Sequence, residues 1–289
     1  MIWIRQALPL RRPTPRSEEA RWLHEQVKHL AVPRHATYEE HANRTIAERL
    51  ALQLSSYGYE VRYQGPHRNV LALPDGWSPD DPLTLVCAHY DSVPNTPGAD
   101  DNASAVAVLL GAARSRPPAT AFVCFNREED GMVGSFDFVR WLSSVGTPTI
   151  REVHVLEMVG YTDMRPGSQR VPPPLPRWML PRDTGDFLGL VGLGKGGTLA
   201  SRVRRAADGA LGVPPVVSLA APRALLCCAH DLGRSDHLPF VHAGLPAVMW
   251  TDTADFRTPH YHLRSDRPET LDYAFMAGVL RLLLATLGA

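Results

Sequence analysis

Residues 120–135 read TAFVCFNREEDGMVGS. An apolar run, 120–125, stops at two adjacent carboxylates, Glu128 and Glu129, and a glycine-flanked turn follows. The run predicts a buried strand; 135–144 has the spacing of a helix. Two neighbouring carboxylates at the end of a buried strand repel each other and lose hydration. A metal, a basic partner or water must compensate for that.

The same alternation extends in both directions. Helical spacing covers 17–31 and 37–56; Thr37 stands three residues before Glu40 as a capping box would require, and Gly58 is a stop signal. Short β-type runs follow at 59–64, 69–73 and 83–88, then a small-residue helix at 103–113. Beyond the central stretch, 152–158 (EVHVLEM) reads as a strand and 161–185 as a long Pro- and Gly-containing loop of the kind that covers sites. A strand at 187–191, a helix at 198–208, strands at 214–218 and 246–250, and a helix over 268–287 opening at Pro268 and Glu269 complete the chain. Strands alternating with helices predict an α/β three-layer sandwich, a central mixed, mostly parallel sheet with helices on both faces. No repeat or break demands two domains, so 1–16 is expected as an N-terminal tail and 17–289 as a single catalytic domain.

Composition narrows the function classes. The chain has 289 residues, 44% of them hydrophobic and 21% charged, with 30 basic and 30 acidic side chains. That balance, without a long basic block, gives no basis for a nucleic-acid or membrane partner. Cys87 and Cys124 sit in apolar runs and the adjacent Cys227 and Cys228 cannot pair without strain, so no disulfide framework is expected. The start, MIWIRQALPLRRPTPR, lacks a continuous apolar core; the expectation is a cytoplasmic protein without a signal peptide. Residues 192–197, GLGKGG, satisfy a dinucleotide fingerprint. The next strand ends without the carboxylate such a site needs, and Gly196 stands where a phosphate-binding loop needs Ser or Thr. A tight glycine turn is the reading.

The polar residues fall at the ends of strands. Strand 83–88 runs into His89-Tyr90-Asp91, strand 120–125 into Glu128-Glu129, and strand 152–156 into Glu157. Carboxyl ends of strands are where open α/β sheets bind ligands. The segment PGADDNAS, 97–104, opens a helix, and backbone N–H groups there can hold the carboxylate of Asp100 or Asp101. A late segment carries His260 and His262. Taken singly, each has an ordinary explanation: a hydrogen-bonded histidine, a helix cap, a solvated pair. Together, at least four carboxylates and two histidines converge on one sheet edge. Mixed His and carboxylate donors suit zinc or a similar divalent ion. One glutamate of the pair can then be a ligand and its neighbour a base.

With these motifs laid out, the chain resembles the di-zinc aminopeptidases of metallopeptidase family 28, whose relatives include glutamate carboxypeptidases and glutaminyl cyclases. HYD (89–91), PGADDN (97–102), EEDGMVGS (128–135), LEM (156–158) and YHLRSDRPETLD (261–272) follow the family's order; SDHLPF (235–240) and AGLPAVM (243–249) also match. The resemblance covers most of 20–285. It implies a zinc-exopeptidase-like fold and two divalent ions, zinc above all. His89 and Glu157 would hold one ion, Glu129 and His262 the other, and Asp101 would bridge them. Glu128 would be the general base and acid, and Asp91 would orient the His89 imidazole. Asp236 and His237 would line the site. The better-known aminopeptidases have Asp where this chain has Glu157, and many relatives have Thr where it has Leu263. The implied activity is hydrolysis of the N-terminal residue from peptides with a free N-terminus. A glutaminyl cyclase is the first rival, though Asp100 is retained and Tyr261 precedes His262. A non-catalytic binding protein of the same fold is the second, though every ligand is present. A serine hydrolase lacks its G-x-S-x-G elbow. Pocket walls are expected from 161–185 and 220–235.

Overall fold

The computed structural model of the chain describes residues 14–78, 80–144, 149–173 and 176–289. The expected N-terminal tail lies outside them except for residues 14–16. Helix α1 (Glu18–Leu30) starts at Ser17, whose hydroxyl accepts from Ala20 N at 3.1 Å, and it buries Ala20, Leu23, Val27 and Leu30 on one stripe. Helix α2 (Glu40–Ser56) follows. Strands β1 (Tyr59–Gln64), β2 (Asn69–Pro74) and β3 (Leu83–His89), helix α3 (Ala105–Arg114), strand β4 (Thr120–Phe125), helix α4 (Val133–Ser144) and strand β5 (Ile150–Glu157) come next. The chain ends with β6 (Leu188–Leu193), α5 (Gly196–Gly209), β7 (Val216–Ala221), α6 (His237–His242), β8 (Ala247–Thr251) and α7 (Tyr273–Leu287).

The eight strands form one mixed sheet in the order β1-β2-β4-β3-β5-β8-β6-β7. Its centre, β4-β3-β5-β8, is parallel. On one flank β2 is antiparallel to β4; on the other β6 is antiparallel to β8. Alternate side chains of each central strand enter two cores. Val86, Ala88, Phe122, Cys124, Leu156 and Trp250 pack with α1, α2, α3, α5 and α7. Leu85, Cys87, Val123, Phe125, Val155 and Met249 pack with α4 and α6. Burial of each large aliphatic side chain contributes about 1.5–3 kcal/mol, so both faces have to be covered, and the three-layer expectation holds.

Four local readings change. The capping box at Thr37 does not form. His35 Nδ1 accepts from Thr37 N and Tyr38 N instead, residues 36–39 turn, and α2 begins at Glu40 with no side-chain cap. The C-terminal helix starts at Tyr273, capped by Asp272, whose Oδ1 accepts from Ala274 N and Phe275 N; Pro268–Thr270 is a separate 3₁₀ turn. The strand expected at 214–218 runs two to three residues later. The short helix α6 was not anticipated. In the glycine run, a Cβ on Gly192 would lie 2.1 Å from Gly196 O, and one on Gly196 would lie 1.9 Å from Ala247 O. Those glycines let α5 turn back tightly against β6 and β8, as the structural reading held.

Candidate metal centre

The parallel register sets the centre. Cys87 on β3 lies opposite Val155 on β5, so His89 and Glu157, two residues further along each strand, leave the sheet at the same level and on the same face. Beyond β4 the chain turns through Asn126 and Arg127 and presents Glu128 and Glu129. Their backbone N–H groups both donate to Asp91, to Oδ1 and Oδ2, at 3.2 Å. Asp91 is fully buried, and its Oδ1 lies 3.4 Å from His89 Nδ1.

Residues 97–104 bring Asp101 in from the side. Gly98 has φ +57, and a Cβ there would sit 2.2 Å from Asp101 O, so the turn requires glycine. Asn102 ties this loop to the end of β5: its Nδ2 donates to Leu156 O at 3.1 Å and its Oδ1 accepts from Met158 N at 2.9 Å. The backbone N–H groups at 100 and 101 hold a carboxylate, as expected for this turn, but it is that of Asp266, at 2.9 and 3.1 Å. Asp100 points away from the centre, with Oδ1 accepting from Gly160 N at 3.0 Å.

Among the described residues, three overlapping groups could hold a cation: His89, Asp101 and Glu157; Asp101, Glu129 and His262; and His89, Glu128 and Glu129. Asp101 joins the first two. His89 Nε2 lies 3.3 Å from Asp101 Oδ1 and 3.5 Å from Glu157 Oε2; His262 Nε2 lies 3.2 Å from Asp101 Oδ2 and 3.5 Å from Glu129 Oε2. Donors about 2.0–2.1 Å from one tetrahedral ion stand ~3.3 Å apart, which is the spacing observed. Both ring nitrogens of His89 and Oε1 of Glu129 are buried without a hydrogen-bond partner. A cation would meet His89 Nε2 and the Glu129 carboxylate, while His89 Nδ1 faces Asp91, so the residues present fit a pair of ions. His260 is absent from these groups, and its Nδ1 lies 3.0 Å from Ser265 Oγ. The Cys227–His230 run is absent too, and Cys227 and Cys228 are exposed.

Burial pushes Glu128 and Glu129 well above the ordinary carboxyl range, and neighbouring carboxylates push further. Burial opposes charge on His89, yet Glu157, Asp101, Asp91 and Glu128 together hold its imidazole well above the usual value. Asp236, next to α6, is fully buried, and burial lifts it to about 7 against the opposing pull of His89 and Ser135. His237 is neutral: burial lowers it to about 4, and its Nε2 donates to Leu232 O at 2.8 Å.

Beside Glu157 opens a pocket of about 100 Å³, lined by Val191, Leu232, Met249, Phe256 and Tyr261, with Arg234 at its wall. Pro172 and Asp231 also border it, so both expected wall segments contribute. A larger groove of about 940 Å³, lined by Trp22 and Glu25 among others, shares no residue with the centre.

Sequence reasoning missed Arg34, a cation buried beneath the loop. Its Nε donates to Tyr90 O at 2.6 Å and its Nη2 to Gly98 O at 2.9 Å. Nothing local marks it. Asp266 stood inside a quoted motif, but only its partners reveal its use.

Comparison with known proteins agrees with this geometry. The model of peptidase family M28 matches residues 69–173. YfbL of Escherichia coli (strain K12) is 34% identical over 302 residues, covering 96% of this chain and 89% of its own length. Among solved structures, the LapA aminopeptidase of Legionella pneumophila superposes with a TM-score of 0.72 at 18% identity, over 92% of this chain and 70% of that one. BSAP, a zinc aminopeptidase from Bacillus subtilis, does so with a TM-score of 0.57 at 26% identity, over 75% and 48%. LapA shares the fold. The near end-to-end match to YfbL, and a family match spanning the segments that carry His89, Asp101, Glu128, Glu129 and Glu157, place the relationship in the sequence itself: this chain belongs to peptidase family M28.

Proposed function

We propose that the protein is a two-metal aminopeptidase that removes the N-terminal residue from peptides. One observation carries the reading: two donor groups share Asp101, while Glu128 stands beside them, its Oε2 4.0 Å from His89 Nε2. His89, Asp101 and Glu157 would hold one ion, and Asp101, Glu129 and His262 the other, with zinc the best match to the donors. Bound there, zinc supplies a water of lowered pKa and polarises the scissile carbonyl. Glu128 takes the proton of the attacking water as the new C–O bond forms. It returns that proton to the amine nitrogen as the C–N bond breaks. Burial raises the proton affinity of Glu128, which suits a group that must both accept and donate. Asp91 fixes this geometry from behind, touching His89 and holding the backbone of both glutamates. Glu157, at the edge of the pocket, is placed to meet the substrate's free α-ammonium group, and the pocket to receive its first side chain.

The test is metal content together with turnover of aminoacyl-p-nitroanilides and N-terminal glutaminyl peptides, before and after chelation. About two ions per chain and chelator-sensitive release of N-terminal residues are expected. One ion with cyclisation of glutaminyl peptides would replace this reading by a cyclase; no metal and no turnover would leave a binding protein.

A further inference from the structure

Two adjacent residues outside the donor groups reach both ends of the centre. Ser235 is buried and donates its hydroxyl to Glu157 Oε2 at 2.8 Å. That is the oxygen facing His89 Nε2 at 3.5 Å. Arg234 donates from Nη2 to the Tyr261 hydroxyl at 3.0 Å, and its guanidinium carbon lies 5.5 Å from the centroid of that ring. The Tyr261 ring stacks on the His262 imidazole, with centroids 3.7 Å apart and planes 21° apart. Glu157 and His262 belong to different donor groups.

Both need a hold. A glutamate has one more rotatable bond than an aspartate, so its oxygen is less fixed by the backbone. A hydroxyl on one lone pair anchors it and leaves another for a cation. His262 is 37% exposed, sits on a loop, and has a left-handed φ of 57°. Packing on one ring face limits its rotation. The hold is itself fixed. Arg234 Nη1 is bonded to Asp231 at 3.1 Å and Asp255 at 3.2 Å, and the next two residues, Asp236 and His237, are fully buried.

We propose that the step Arg234–Ser235 positions ligands at both ends of the centre: Ser235 sets Glu157, and Arg234, acting through Tyr261, sets His262. This rests on the two-metal reading above. Both are positioning residues, and one short segment thereby serves each ion site through a different residue.

The experiment is zinc titration of the chelator-stripped full-length protein, read as stoichiometry and affinity by competition with a chromophoric chelator. Wild type takes two ions. Ser235→Ala weakens one of them by about 10–100-fold, and Ser235→Thr, which keeps the hydroxyl, restores it. Arg234→Ala weakens the other by a similar factor, and its effect shrinks in a Tyr261→Phe background, where the ring remains but the acceptor is gone. Glu157→Ala leaves the His262 group alone; in that background Arg234→Ala still weakens binding and Ser235→Ala does not. If the wild type takes two ions and the variants match it, or if each variant weakens both ions alike, this inference falls and the two-metal reading stands. A wild type that binds no zinc overturns both.

Discussion

Glu128 and Glu129 adjoin in sequence and face different histidines. Glu129 Oε2 faces His262, Glu128 Oε2 faces His89, and Asp91 holds both backbones. Because Glu128 lies outside the two groups that share Asp101, Glu128→Gln keeps both ions but lowers kcat by at least about 10²–10⁴-fold. Metal analysis alongside kcat checks this, and full activity in that variant would sink the base assignment. Asp266 acts on backbone instead. Its removal in Asp266→Ala strands the N–H groups of Asp100 and Asp101 in a buried turn. The expected cost is about 1–3 kcal/mol of stability by urea unfolding, with weaker zinc binding because Asp101 loses its support.

The loop from 90 to 104 is the element that assembles the centre, and it is pinned from three sides. Arg34 holds its carbonyls, Asp266 its N–H groups, and Asn102 ties it to β5. Arg34→Met leaves buried carbonyls without donors, and we expect a loss of about 3 kcal/mol or more, measured by thermal unfolding of the metal-free protein. Burial lowers the Arg34 pKa from its usual value, opposed by Asp91, Asp101, Asp266 and Glu129. The cation therefore also offsets part of the acidity above it. A stability unchanged by the substitution would show that the loop holds without it. At this scale the strand and helix pattern was legible, because both periods are local properties of the chain. The misplaced starts of α2 and α7 were not. His35 Nδ1 takes the N–H groups of Thr37 and Tyr38 and holds 36–39 in a turn ahead of α2, while Asp272 Oδ1 takes those of Ala274 and Phe275 and starts α7.

Across the whole molecule, the centre gathers buried acids at one sheet edge, and their titration couples fold to cation. In the metal-free protein burial lifts both Asp236 and Asp266 to about 7, from an ordinary value near 3.8. Between those values the folded state binds more protons than the unfolded one, so their contribution to stability is full below about pH 4 and fades as pH rises toward 7. Asp101, held below its ordinary value by His262 and His89 despite burial, stays ionised throughout that window. A cation held at the proposed centre would favour the charged form of these neighbouring acids, and in acid it would compete poorly with protons for its own ligands. Zinc is therefore expected to raise Tm more at pH 8 than at pH 5.5 in calorimetry. An equal rise at both would separate the acids from the metal. Among the described residues no helix is long and apolar enough to cross a membrane.

The sequence by itself determined the layered α/β architecture, since apolar runs of strand length alternating with helical spacing leave few other ways to bury both faces. It also brought His89, Glu128, Glu129 and Glu157 to one edge, because each closes or follows a strand that delivers it there. Tertiary structure alone decided which oxygen faces which nitrogen, that Asp100 turns toward Gly160 N, and that Arg34, Asp266, Arg234 and Ser235 support the centre. Those contacts join residues far apart in the chain. Their energies depend on distance and burial, which no local pattern encodes until the sheet has formed.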